Sequence, residues 1–283
     1  MPPSAKRIPF QIASALGMDE ATKAALERLE LVAKSHKTCV AGRFMPDQAV
    51  GARLASLGIP ERVDPADFFK FERIVIPFCS VSQRLRRDWE NAGHRLEDLT
   101  SPQVRRAQVT LGLLKLEGAQ TLVIGRHDDP ESQALATGFP GTIILETTID
   151  TARLLFAPAF GVVCQTTLSP RRVSWLVQQL RLRWRDGKVT FLDTVSPAMI
   201  AREEALERLL VVCDRVIIVG ETGEASCEAL LETASRRGKP GVIISDISQL
   251  DDVDLQSGGK IALTAGAFAP VESIRKVAEA LAR

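Results

Sequence analysis

Asp98-Leu99-Thr100-Ser101-Pro102 recurs 95 residues later as Asp193-Thr194-Val195-Ser196-Pro197. The same shift carries Leu122-Val123-Ile124-Gly125 onto Ile217-Ile218-Val219-Gly220, and Ala134-Leu135 onto Ala229-Leu230. Three matches in phase mark an internal repeat. Its unit is a turn that opens a helix, a buried strand ending in glycine, a loop and a second helix. Ser101 and Ser196 read as N-caps, each followed by proline at the first helical position. A third copy stands upstream, where Thr38-Cys39-Val40-Ala41-Gly42-Arg43 resembles Thr121-Leu122-Val123-Ile124-Gly125-Arg126.

Strands and helices alternate on both sides of these stretches. Ile8–Ala13, Thr38–Ala41, Arg73–Pro77, Thr121–Ile124, Thr142–Leu145, Val162–Cys164, Val189–Leu192, Arg215–Val219, Val242–Ser245 and Ile261–Leu263 read as strands. Several are apolar without alternation, which is the mark of parallel sheets covered on both faces. The expected fold is α/β: three pseudo-threefold-related units, 1–92, 93–187 and 188–283, with parallel sheets around a central pocket. Ligands of such sheets sit beyond the carboxyl ends of strands, where free helix N-terminal N–H groups favour an anion.

The composition is that of a globular protein, with 45% hydrophobic and 25% charged residues. A net charge of +1 offers no footprint for nucleic acid or an anionic membrane. No apolar run approaches a membrane span, and Met1–Pro9 lacks the apolar core of a signal peptide. The expectation is a cytoplasmic protein with a small-molecule ligand, no nucleic-acid or membrane partner, and an oligomeric state the sequence does not fix. Five cysteines, Cys39, Cys79, Cys164, Cys213 and Cys227, form no C-x-x-C pair and read as buried free thiols.

Ser101 and Ser196 could be nucleophiles, but capping explains them fully and no histidine sits at a sequence position that suggests a partner. His127, Asp128 and Asp129 could ligate a divalent metal, but three local residues in one loop are a weak signal, and no metal is expected. Cys79 sits in a turn expected to face the pocket, as a structural thiol or a nucleophile. Arg171, Arg172, Arg181, Arg183 and Arg185 form a basic helix that reads as a solvated face.

Gln165-Thr166-Thr167-Leu168-Ser169 is similar to the Q-T-T-L-S turn of the 4-hydroxy-3-methylbut-2-enyl diphosphate reductase (LytB/IspH) family of isoprenoid synthesis. Thr264-Ala265-Gly266-Ala267-Phe268-Ala269-Pro270 resembles that family's T-A-G-A-S-A-P turn, and Pro130-Glu131 its H-P-E-V-E-G segment. The resemblance covers nearly the whole chain and implies three α/β units around one pocket. It also implies an iron–sulfur cluster held by three cysteines, one at the first turn of each unit. Here those positions read Gly17, Ser101 and Ser196, so the expectation is a protein without a cofactor. Family histidines become Cys79 and Asp129, the S-S-N turn becomes Glu224-Ala225-Ser226, and a serine becomes Phe268. Added carboxylates oppose a diphosphate, and Phe268 fills space where a donor stood.

By the same resemblance Glu131 matches the proton-relay acid, although an acidic residue also suits a helix N-terminus. The candidate catalytic residues are Glu131 and Cys79. The candidate ligand contacts are Thr166, Thr167, Asp129, Ser226, Phe268, Ser101 and Ser196. Two functions compete: a non-redox enzyme acting on a small organic molecule, and a catalytically empty ligand- or partner-binding protein. A working reductase ranks third.

Overall fold

The computed structural model describes residues 9–185, 187–252 and 259–282; Ile8, at the start of the first expected strand, lies outside them. The first copy of the repeat runs β1 (Phe10–Ile12), α1 (Glu20–Ser35), β2 (Thr38–Val40), α2 (Gln48–Ser56), β3 (Arg73–Ile76) and α3 (Gln83–Asn91). The second runs β4 (Leu96–Asp98), α4 (Pro102–Leu116), β5 (Gln120–Ile124), α5 (Pro130–Gly138), β6 (Ile143–Leu145), α6 (Thr148–Arg153), β7 (Ala159–Cys164) and α7 (Pro170–Arg183). The third runs β8 (Lys188–Phe191), α8 (Pro197–Leu210), β9 (Arg215–Val219), α9 (Ala225–Arg236), β10 (Gly241–Ile244), β11 (Ile261–Ala265) and α10 (Val271–Leu281).

Three sheets form, ordered β2-β3-β4, β6-β5-β7-β8 and β10-β9-β11-β1, and every pairing is parallel. The runs Leu122–Ile124 and Ile217–Ile218 are wholly buried, as strands covered on both faces require. Burying each such side chain contributes about 1.5–3 kcal/mol, the main force holding strand to helix. In α4, Val104, Ala107, Leu111 and Leu114 turn to the sheet at helical spacing.

Each sheet takes the leading strand of the following segment: β4 closes the first, β8 the second, and β1 the third. The expected boundaries at 92/93 and 187/188 therefore fall between hydrogen-bonded neighbours of one sheet. The sequence reading has no strand at 96–98, because Leu96-Glu97-Asp98 is too short and too polar to announce itself. It also misses α6.

The two turns that define the repeat are the same object. Asp98 Oδ1 accepts the Thr100 N–H at 3.0 Å, and Asp193 Oδ1 accepts the Val195 N–H at 2.9 Å. The Ser101 N–H donates to Phe78 O and the Ser196 N–H to Thr166 O, both at 2.9 Å. In both cases the acceptor lies two residues past the end of the adjacent strand.

The chain groups into two compact units. One comprises Met1–Lys23, Pro46–Arg53 and Pro197–Arg283 and holds the β10-β9-β11-β1 sheet. The other comprises Ala24–Met45 and Leu54–Ser196 and holds the remaining two sheets.

Candidate functional site

In the unit built on Leu54–Ser196, the turns after β5 and β7 are cross-linked by Gln165. Its side chain is fully buried; Oε1 accepts from the Arg126 N–H (3.1 Å) and from Ser132 Oγ (3.2 Å). Its Nε2 donates to Thr167 Oγ1 at 3.1 Å. An amide suits this place because it offers acceptor and donor at once to groups that cannot reach water.

Glu131 enters the same junction from the first turn of α5. It is 5% exposed, and its carboxyl accepts the Thr166 N–H at 2.7 Å and the Thr166 hydroxyl at 2.9 Å. Burial, and then the charge of Asp129, push its pKa up to about 8, while the two Thr166 bonds pull the other way. Near neutrality it is a protonated carboxylic acid. Once the proton has left, the Thr166 N–H and O–H are already placed to hold the carboxylate.

Cys79, half-buried after β3, feels both Asp129 and Glu131. Burial first, and then those two carboxylates, push its thiol up to about 12. A thiolate is the nucleophile, and burial and the neighbouring carboxylates both disfavour it at Cys79.

Asp129 caps α5, accepting the N–H groups of Glu131 (2.8 Å) and Ser132 (3.4 Å). A carboxylate already fills that helix N-terminus, so the anion site expected there is taken. Ser101 is likewise a cap, accepting the Gln103 N–H at 3.2 Å, and it is buried. Ser196 and Thr167 are half-buried at neighbouring turns, whereas Thr166 is buried. Asp128 pairs with Arg126 and His127 faces Asp150 at 3.5 Å, so these residues turn to separate partners.

In the other unit the equivalent turns carry different groups. Glu224 caps α9, accepting the N–H groups of Ser226 (2.9 Å) and Cys227 (3.0 Å). Ser226 donates to Glu224 and accepts the Ala267 N–H at 2.7 Å. Ser226 is wholly buried, and its hydroxyl both donates and accepts within the protein. Phe268 is half-buried on the next turn. Gly17 has φ +66°, and a Cβ there would meet Ile274 Cδ1 at 2.6 Å and Ala269 O at 2.9 Å. A side chain at this position is therefore strained. Its carbonyl takes two bonds from buried Arg202, through Nε at 3.1 Å and Nη2 at 2.5 Å.

Sequence reasoning missed Gln165 and Arg202 as organising residues. Gln165 had a readable signal, an amide at the mouth of an apolar strand with a threonine two residues on. Arg202 had none, since its partner is a backbone carbonyl 185 residues away.

A profile of the LytB protein family matches residues 12–282. A 4-hydroxy-3-methylbut-2-enyl diphosphate reductase from Bordetella pertussis is 29% identical over 209 residues, 73% of this chain and 64% of the relative. The namesake from Symbiobacterium thermophilum is 25% identical over 86% of this chain and 84% of its own. The chain thus matches somewhat under two thirds of the length of the Bordetella relative. Among solved structures, the E-1-hydroxy-2-methyl-but-2-enyl-4-diphosphate reductase of Plasmodium falciparum superposes with a TM-score of 0.91. It covers 98% of this chain and 89% of its own at 22% identity, a likeness of fold.

These comparisons overturn one expectation. The sequence reading has no cofactor, yet the relatives are reductases of the family for which the resemblance implies an iron–sulfur cluster, so kinship speaks for a cofactor. The donor set of the three first turns does not fit a three-thiolate cluster. A side chain at Gly17 is strained, Ser101 caps its helix, and Ser196 is a hydroxyl. With 12–282 matched, three parallel sheets in place and the QTTLS and TAGAxAP turns at their strand ends, the chain belongs to the LytB family.

Proposed function

We propose that the protein transfers a proton to or from a small organic molecule held at the turns after β3, β5 and β7, with Glu131 as the acid. One observation carries this reading. Glu131 is buried, its pKa is raised to about 8, and both its oxygens are held by Thr166. A general acid works best with a pKa near the operating pH, and such catalysis contributes about 10²–10⁴-fold. The proton leaves the Glu131 carboxyl for an oxygen or carbon of the ligand, and Thr166 stabilises the carboxylate that remains. Half-buried Cys79 feels the charge of Glu131, and half-buried Thr167 holds Gln165 at the same turn. The cap carboxylate of Asp129 favours a neutral or weakly anionic ligand over a diphosphate.

A second reading is that the chain shares its relatives' reaction; their names and their 29% identity favour it. Titration calorimetry with 4-hydroxy-3-methylbut-2-enyl diphosphate separates the two. Weak or no binding is expected; micromolar binding that disappears in Thr167→Val would restore the relatives' substrate. For the acid itself, a thermal-shift screen of small alcohols, ketones and carboxylic acids should give hits whose affinity follows a titration near pH 8. That pH dependence should vanish in Glu131→Gln, and hits with the same pH profile in the variant would overturn the role of Glu131.

A further inference from the structure

The whole-chain charge of +1 conceals an uneven distribution. Residues 151–185 contain Arg153, Arg171, Arg172, Arg181, Arg183 and Arg185 and no acidic residue; Asp150 and Asp186 bound the run. The helices that occupy the same place in the other two copies are mixed. α3 holds Arg84 opposite Asp88, and α10 holds Arg275 opposite Glu279, each at 3.8 Å. Among the described residues, no salt bridge engages Arg153, Arg181, Arg183 or Arg185.

The arginines share their surface with large apolar side chains. Leu155 is 85% exposed, Phe156 72%, Leu182 50% and Trp175 49%. The end of α7 and the segment after α6 are held together. Arg183 Nη2 donates to Ala152 O at 2.9 Å, and the rings of Phe156 and Trp184 lie 5.8 Å apart. Basic and apolar groups therefore form one patch at the C-terminal end of α7.

We propose that this patch docks the protein on an anionic lipid membrane. Leu155 and Phe156 would enter the acyl boundary while the arginines meet headgroups, the division of labour of interfacial membrane-binding surfaces. The charge and the apolar side chains each point to that occupant. A second copy of the chain would set arginines against arginines across a twofold contact. Nucleic acid would leave the aliphatic Leu155 and Leu182 without a partner. β7 runs from Ala159 at the patch end to Cys164 at the Glu131 end, about 17 Å at strand rise, so docking leaves the candidate site clear.

The test is co-sedimentation of the full chain with vesicles of phosphatidylglycerol and phosphatidylcholine in equal parts, against phosphatidylcholine alone. Binding to the anionic vesicles only is expected, weakening as salt rises. Each arginine near the surface is worth roughly fivefold in partition. Arg181→Glu/Arg183→Glu/Arg185→Glu should therefore lower partition by at least about a hundredfold. Leu155→Ser/Phe156→Ser should lower it by about tenfold or more. All of these residues are exposed, so an unchanged melting temperature verifies the fold, and quenching of tryptophan fluorescence by brominated lipid gives an independent readout. Equal binding to neutral vesicles, no binding to either, preferential binding of RNA, or a dimer that Leu155→Ser dissolves would each overturn the proposal.

Discussion

Asp129 and Glu224 stand 95 residues apart at equivalent helix N-termini, and each accepts two backbone N–H groups of its own helix. Two residues on, the copies part. Glu131 receives the N–H and hydroxyl of Thr166, whereas Ser226 receives the N–H of Ala267 and donates back to Glu224. The backbone frame is shared, and a neutral hydroxyl satisfies it completely. A buried carboxyl is therefore not what the fold requires at this position. Keeping one costs stability whenever it ionises, and only its chemistry distinguishes it.

The largest effect expected from this difference is a pH dependence of stability. The folded pKa of Glu131, about 8, lies above the ordinary 4.5, so the folded state binds the proton more tightly. The associated stability is full below about pH 4.5 and is lost as pH rises through about 8. That loss is on the order of 5 kcal/mol. Denaturant unfolding of wild type across that range should show the slope, and Glu131→Gln should abolish it. Ser226→Ala should leave the slope intact. A slope common to wild type and Glu131→Gln would break the comparison.

A smaller effect is expected at the first residue after the central strand, where the copies use opposite solutions. Gln165 fills its place with an amide; Gly266 leaves room for Cys227, whose Sγ would lie 2.3 Å from an added Cβ. Gly266→Ala should cost about 1–3 kcal/mol by overpacking. Gln165→Leu should cost a similar amount through the unpaired Arg126 N–H and Ser132 hydroxyl. A neutral Gly266→Ala would mean that Cys227 moves aside freely.

The smallest effects are expected at the shared caps. Asp129→Ala and Glu224→Ala should each destabilise by about 1 kcal/mol. Only Asp129→Ala should also lower the pKa of Glu131, because its charge is one of the two causes raising it. Identical pH profiles for the two variants would show that Asp129 acts on its helix alone.

The repeat, the parallel sheets and the strand-to-helix turns were legible because apolar runs, cap serines and N1 prolines are local signals. What was not legible is long-range. Leu96–Asp98 becomes a strand only because β3 offers an edge, and β1 joins a sheet whose other strands come some 200 residues later. At the site, Glu131 and Thr166 were found through motifs, but the direction of Asp129 and Glu224 was not. Asp129 is expected among the ligand contacts and Glu224 only as a carboxylate opposing a diphosphate, and both turn back onto their own helices. Sequence gives the charge of a cap and not the direction of its lone pairs.

The most direct test is the titration of the Glu131 carboxyl, followed by infrared difference spectroscopy of wild type against Glu131→Gln. A protonated-carboxyl band that disappears with a midpoint near pH 8, and is absent from the variant, is the predicted result. A midpoint between about 4 and 5, the range of an ordinary glutamate, would contradict the central claim that this position holds a protonated acid for chemistry.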